Sequence, residues 1–97
     1  MILATLSLIA SPALAQQWIT DADYPTSALQ QRVEGTVEVG LTFDAQGRLI
    51  RCDIVRSSGA AVLDVTTCRL LRQRARVNAG EPRTRTYEHR WRIPTRS

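Results

Sequence analysis

Between residues 36 and 43 apolar and polar side chains alternate without a break. Val37, Val39, Leu41 and Phe43 fall on one side, and Thr36, Glu38, Gly40 and Thr42 on the other. A period of two predicts a half-buried antiparallel strand over Thr36–Phe43. Asp44-Ala45-Gln46-Gly47 follows, with glycine where a type I turn closing on a bulge needs a positive φ. The chain then returns as a second strand from Arg48 to Arg56, with Ile50, Cys52 and Ile54 on one face, until Ser57-Ser58-Gly59 interrupts it.

Past that break the period lengthens. Leu63, Thr67, Leu70, Leu71 and Ala75 recur at helical spacing with Cys68 at their border, predicting a helix over Ala61–Arg76. Ser58 is a suitable N-cap for it, and Asp64 suits the positive end of its dipole. Residues 78–82 read as a loop. Thr84–Ile93 alternates again, with Tyr87, His89, Trp91 and Ile93 opposed to Arg90 and Arg92, and Pro94 ends the run. Upstream of the first strand, Tyr24-Pro25 opens a short helix continued over Thr26–Arg32, with Ala28 and Leu29 inward and Gly35 closing the segment.

Helix, strand, strand, helix, strand is an α+β plan. A helical crossover makes the second and third strands parallel, with the first between them and antiparallel to both. The expected sheet is three-stranded, antiparallel/mixed, in the order 2-1-3, with two helices on one face. The third strand is then left at a margin, its backbone groups unpaired.

The start of the chain changes the setting. Residues 2–10 are an uncharged apolar run, and Ala13-Leu14-Ala15 has the small-x-small form of a cleavage site. Residues 1–15 are therefore expected to be a secretory signal peptide, although no basic residue precedes the apolar run. The run is too short for a bilayer-spanning helix of roughly 20 residues, so no stable membrane span is expected. Residues 16–23 then form an extended lead-in, 24–94 the domain and 95–97 a tail. Trp18 in the lead-in reads as a packing residue.

Secretion into an oxidising compartment predicts that Cys52 and Cys68, the two cysteines of the chain, pair as a disulfide; two free buried thiols are the alternative. Their spacing is unlike a redox C-x-x-C motif, and two cysteines with one histidine cannot complete a zinc site. No metal or cofactor is expected. Enzyme chemistry finds no constellation either: His89 stands alone, Asp44, Asp53 and Asp64 show no paired spacing, and there is no glycine-rich phosphate loop.

All 13 basic residues of the 97-residue chain are arginines, and nine of them lie after Cys68 against two acids. Behind a signal peptide the counterpart of such a cationic third is not nucleic acid but an acidic peptide, anionic lipid or surface polysaccharide. A solvated, solubilising face is the simpler use of the same residues.

Taken in order, Tyr24-Pro25, Ala28, Glu34-Gly35-Thr36-Val37, Asp44-x-x-Gly47-Arg48, Val55-Arg56-Ser57-Ser58-Gly59, Leu63-Asp64 and Arg74-x-Arg76 resemble the C-terminal domain of TonB, the energy transducer that contacts outer-membrane transporters. The resemblance runs from about residue 23 to residue 94 and extends to a subset of the family with cysteines in the second strand and the helix, as Cys52 and Cys68 are here. It implies a periplasmic, non-enzymatic protein-binding module. It also implies a mode of binding, in which a transporter's peptide adds as a strand to the edge of the last strand. Carried onto this chain, that edge is Thr84, Arg85, Thr86, Tyr87, Glu88, His89, Arg90 and Trp91, with Arg85 and Arg90 attracting an acidic peptide. Homodimerisation at the same edge is left open.

Two departures limit the carry-over. Arg76-Val77-Asn78-Ala79-Gly80 replaces the family's usual Arg-aromatic-x-Pro-Ala, and no spanning helix or proline-rich spacer precedes the domain. The expectation is thus a free periplasmic module rather than a working transducer. The alternative is an envelope-associating protein whose arginine-rich C-terminal third binds anionic lipid or polysaccharide.

Overall fold

In a computed structural model of the chain, residues 17–95 are described. The expected signal peptide and the last two residues lie outside them. A 3-10 turn at Asp21–Asp23 is followed by α1 (Thr26–Gln30), β1 (Gly35–Phe43), β2 (Leu49–Arg56), α2 (Ala61–Arg74) and β3 (Arg83–Trp91). The sheet order is β2-β1-β3, with both outer strands antiparallel to β1. The expected α+β plan and strand order are therefore observed.

The strict alternation in β1 has its physical cause in the core. Val37, Val39, Leu41 and Phe43 are fully buried, and against them pack Leu63, Thr67, Cys68, Leu70 and Leu71 of α2, with Ala75 just after it. Thr67 is tolerated there because its hydroxyl donates to the Leu63 carbonyl one turn back at 2.7 Å and accepts from Trp91 Nε1 at 2.9 Å.

The two strand partners of β1 differ in regularity. β1 and β3 share an unbroken register from Gly35 opposite Trp91 to Phe43 opposite Arg83. β2 is irregular: Thr42 faces Arg51 but Phe43 faces Leu49, so Ile50 is an extra residue, and a second irregularity lies between Glu38 and Val39. The bulge shifts the phase, so Leu49 rather than Ile50 meets the core, and Ile50 is 63% exposed. Cys52 is the one buried residue of β2.

Turn chemistry follows the sequence closely at one point. Gly47 has φ +84°, and a Cβ there would lie 1.9 Å from the Val77 carbonyl oxygen. Only glycine lets the 76–80 segment run against the hairpin turn, where Val77 donates to the Gly47 carbonyl at 3.0 Å and Gly80 to that of Ala45 at 2.9 Å.

Helix ends differ from expectation. α1 stops at Gln30, because Arg32 takes a left-handed conformation (φ 55°) and Val33 donates back to the Ala28 carbonyl at 2.8 Å, a Schellman-like closure. Ala28 is buried, as expected, whereas Leu29 is 37% exposed. α2 ends at Arg74, since Ala75 is extended and Arg76 bridges to Arg48. Ala60, not Ser58, is its N-cap; Ser58 instead donates its amide and hydroxyl to the Asp64 carboxylate at 2.9 and 2.7 Å. Burial works to raise the Asp64 pKa, but these bonds and that from the Ser57 hydroxyl outweigh it and hold the carboxyl below its ordinary value.

Candidate functional site

Among the described residues, strand order leaves one side of β3 without a strand partner. Opposed residues of an antiparallel pair share a face, so the register with β1 sorts the side chains of this edge. Thr84, Thr86, Glu88 and Arg90 lie opposite Thr42, Gly40, Glu38 and Thr36 on the face away from the helices. Arg85, Tyr87, His89 and Trp91 lie opposite Leu41, Val39, Val37 and Gly35 on the helix-covered face. Arg85 and Arg90 are both exposed but project to opposite sides of the sheet. The edge is therefore not one cationic stripe.

The covered face is built around Trp91. Its ring is fully buried, its Nε1 is held by Thr67, and it meets the Tyr24 ring edge-on at 5.2 Å and the His89 ring at 4.5 Å. Trp91 thus offers a ligand only its backbone. His89 is half-buried, and desolvation lowers its pKa against the opposing influence of Asp21 and Asp23, favouring the neutral ring at neutral pH. At the C-terminal end of the strand, the Ile93 amide donates to the Glu34 carboxylate at 2.9 Å.

The lead-in is part of this site. Ile19 is fully buried in the core, and Trp18 packs against Tyr87 with ring centroids 5.4 Å apart. Burial raises the Tyr87 pKa, with a hydrogen bond from the Trp18 backbone acting the other way. Arg74, at the end of α2, fastens the segment. Its guanidinium donates to both Asp23 carboxylate oxygens at 2.7 and 2.8 Å and to the Trp18 carbonyl at 2.8 Å. The Arg74 bonds, above all, lower the Asp23 pKa to about 2. An extended lead-in was expected; instead a 3-10 turn begins after Thr20, whose amide donates to Asp23 at 2.9 Å. The signal was present in Thr20-x-x-Asp23, a capping-box spacing.

On the open face Glu38 and Glu88 are directly opposed. Such a like-charge pair is unfavourable alone, and Arg56 of β2 approaches Glu38 at 4.0 Å. Among the described residues no group of three or more His, Cys, Asp or Glu is placed to hold a metal, and no helix is long and apolar enough to cross a membrane. Cys52 and Cys68 are joined as a disulfide, with Cα atoms 5.8 Å apart, tying β2 to α2.

A sequence model of the family described as Gram-negative bacterial TonB protein C-terminal matches residues 20–96. The chain belongs to that family. Its fold is similar to the NMR solution structure of the Helicobacter pylori TonB C-terminal domain, with a TM-score of 0.64 at 20% identity over 75% of this chain and 82% of that one. A search of curated proteins finds no match to the sequence. At that identity the structural likeness establishes the fold alone, and the TonB C-terminal assignment rests on the family match together with the strand order.

Proposed function

We propose that this TonB C-terminal domain is a periplasmic binding module that captures an extended peptide, belonging to an outer-membrane transporter, as a fourth strand along β3. The observation that carries this is the position of β3: it lies at the sheet margin, and its unbroken register with β1 keeps it regular over nine residues. Main-chain bonds to such an edge supply affinity, and flanking side chains supply selectivity. Here Arg85 and Arg90 stand on opposite faces, so they attract acidic residues of a peptide at an odd spacing, while Glu88 disfavours an acid beside it. Trp18 and Tyr87 provide an aromatic wall along the covered side.

Successive amides of a strand alternate between its paired and free sides, so Arg85→Pro and Thr86→Pro are tested together. One of them removes a donor from the free side and leaves the β1 ladder intact. That variant keeps its melting temperature and loses binding to a transporter-derived peptide in fluorescence anisotropy. Unchanged affinity in both variants refutes the edge. Exposed arginines on α2 and β3 favour a second reading, adhesion to anionic lipid or polysaccharide. Binding of that kind falls steeply with salt and survives both prolines.

A further inference from the structure

Tyr24 packs beside Trp91 and Trp18 beside Tyr87, so the lead-in follows β3 along its helix-covered face. On β1 the opposed residues Val37 and Val39 are already fully buried in the core, which sets the lead-in over the other side of β3, toward its free margin. We propose that the lead-in is one wall of the peptide site, that Trp18 is the residue there that reads a captured strand, and that Arg74 is the positioning residue that holds Trp18 in place. This rests on strand capture at β3 and adds what selects among strands.

Two adjacent side chains of the lead-in divide the work. Ile19 is fully buried and fills the core, whereas Trp18 is only partly buried, with the rest of its ring open beside Tyr87. An indole used for packing alone goes inside, as the Trp91 ring does where Thr67 takes its Nε1. One left half-open at an unpaired strand margin is the kind of anchor that binding interfaces use. A strand added to β3 places one side chain beside Tyr87 on the covered face, against the Trp18 ring. Two aromatic rings favour an apolar side chain at that position.

The order in this wall comes from Arg74. Its guanidinium spans from the Asp23 carboxylate to the Trp18 carbonyl, with all three contacts between 2.7 and 2.8 Å. On the other side a hydrogen bond from the Trp18 backbone reaches Tyr87. Trp18 is thus tied to the end of α2 and to β3 at once. Residues 17–19 belong to no helix or strand ladder, so without the guanidinium the indole has to be ordered anew whenever a peptide binds.

The test uses the whole secreted chain and the fluorescent transporter-derived peptide of the proline experiment. Trp18→Ala weakens binding at least about tenfold, and Trp18→Phe less than about threefold. Arg74→Ala keeps the ring but loses its anchorage, weakens binding about fivefold, and adds nothing further in the double variant with Trp18→Ala. Acrylamide quenching supplies a readout that needs no variant, because Trp91 is buried and Trp18, the other tryptophan of the chain, is open. Bound peptide shields Trp18 from the quencher, and Arg74→Ala makes it more quenchable before peptide is added. Peptide that binds and leaves Trp18 as quenchable as before overturns the proposal, as do full affinity in a folded Trp18→Ala and independent, additive losses in the double variant. If Arg85→Pro and Thr86→Pro both leave affinity unchanged, the β3 edge is lost and this wall with it. If one of them abolishes binding while Trp18→Ala does not, capture at β3 stands and the wall alone falls.

Discussion

Removing the Cys52–Cys68 bond probes how β2 is attached. β2 contributes a single buried side chain, Cys52 itself, and two bulges weaken its ladder to β1. The bond spans 16 residues of sequence, from the middle of β2 to the middle of α2. Closing a loop of this size removes denatured-state entropy worth about 3 kcal/mol in the chain-entropy account. A domain of this length has a total stability of roughly 4–12 kcal/mol, so the loss is a large fraction of it. At about 4–8 °C per kcal/mol for small domains, the melting temperature falls by roughly 12–24 °C. The assay is urea unfolding of oxidised and reduced wild-type protein, with a Cys52→Ala/Cys68→Ala variant as a check on thiol effects. Hydrogen exchange supplies the local half of the argument: amides of β2 lose protection in the reduced protein before those paired between β1 and β3. Oxidised and reduced proteins within about 1 kcal/mol of each other would refute the magnitude. Equal loss of protection across all three strands would refute the attachment.

Gly47→Ala drives a Cβ into the Val77 carbonyl at a positive φ, and is expected to cost at least about 2 kcal/mol in urea unfolding; a cost under about 0.5 kcal/mol would contradict the close approach. Asp23→Asn removes the charge held by Arg74 and is expected to cost about 1 kcal/mol at neutral pH, since Arg74 is 40% exposed and solvent screens the pair from that side. The Asp23 carboxyl is lowered from 3.8 to about 2 on folding, so its contribution is complete above pH 3.8 and is lost as the pH falls through 2. Wild type and Asp23→Asn should therefore differ in urea midpoint at pH 7, with the gap closing as the pH falls from about 4 through 2; a gap undiminished in acid would disprove the linkage.

Much of this fold was legible because one face of each element is dry. β1 alternates strictly since every second side chain enters the core, and the α2 stripe from Leu63 to Leu71 follows from the same burial. Order 2-1-3 then follows from crossover handedness. What escaped were features set by local backbone geometry rather than by burial. The bulge at Ile50 put Leu49 in its place at the start of β2, while Cys52 and Ile54 kept the expected face, and no alternation rule marks an extra residue. Arg32 in a left-handed conformation shortened α1, where a glycine would have signalled the end. At the candidate edge, the run Thr84–Trp91 was found by period two, but its division into faces needed the register with β1. That division separated Arg85 from Arg90 and withdrew the Trp91 ring into the core. The role of the lead-in depended on Arg74, far away in sequence, gripping Asp23 and Trp18.

The unbroken register between β1 and β3 also has a mechanical side. Tension applied along β3 acts in shear, so every rung of that ladder resists at the same moment. Across the hairpin, where extra residues interrupt the rungs, the same tension meets short independent runs that yield one after another. One half of the sheet is stiff under load, and the other is compliant but for its sulfur tether.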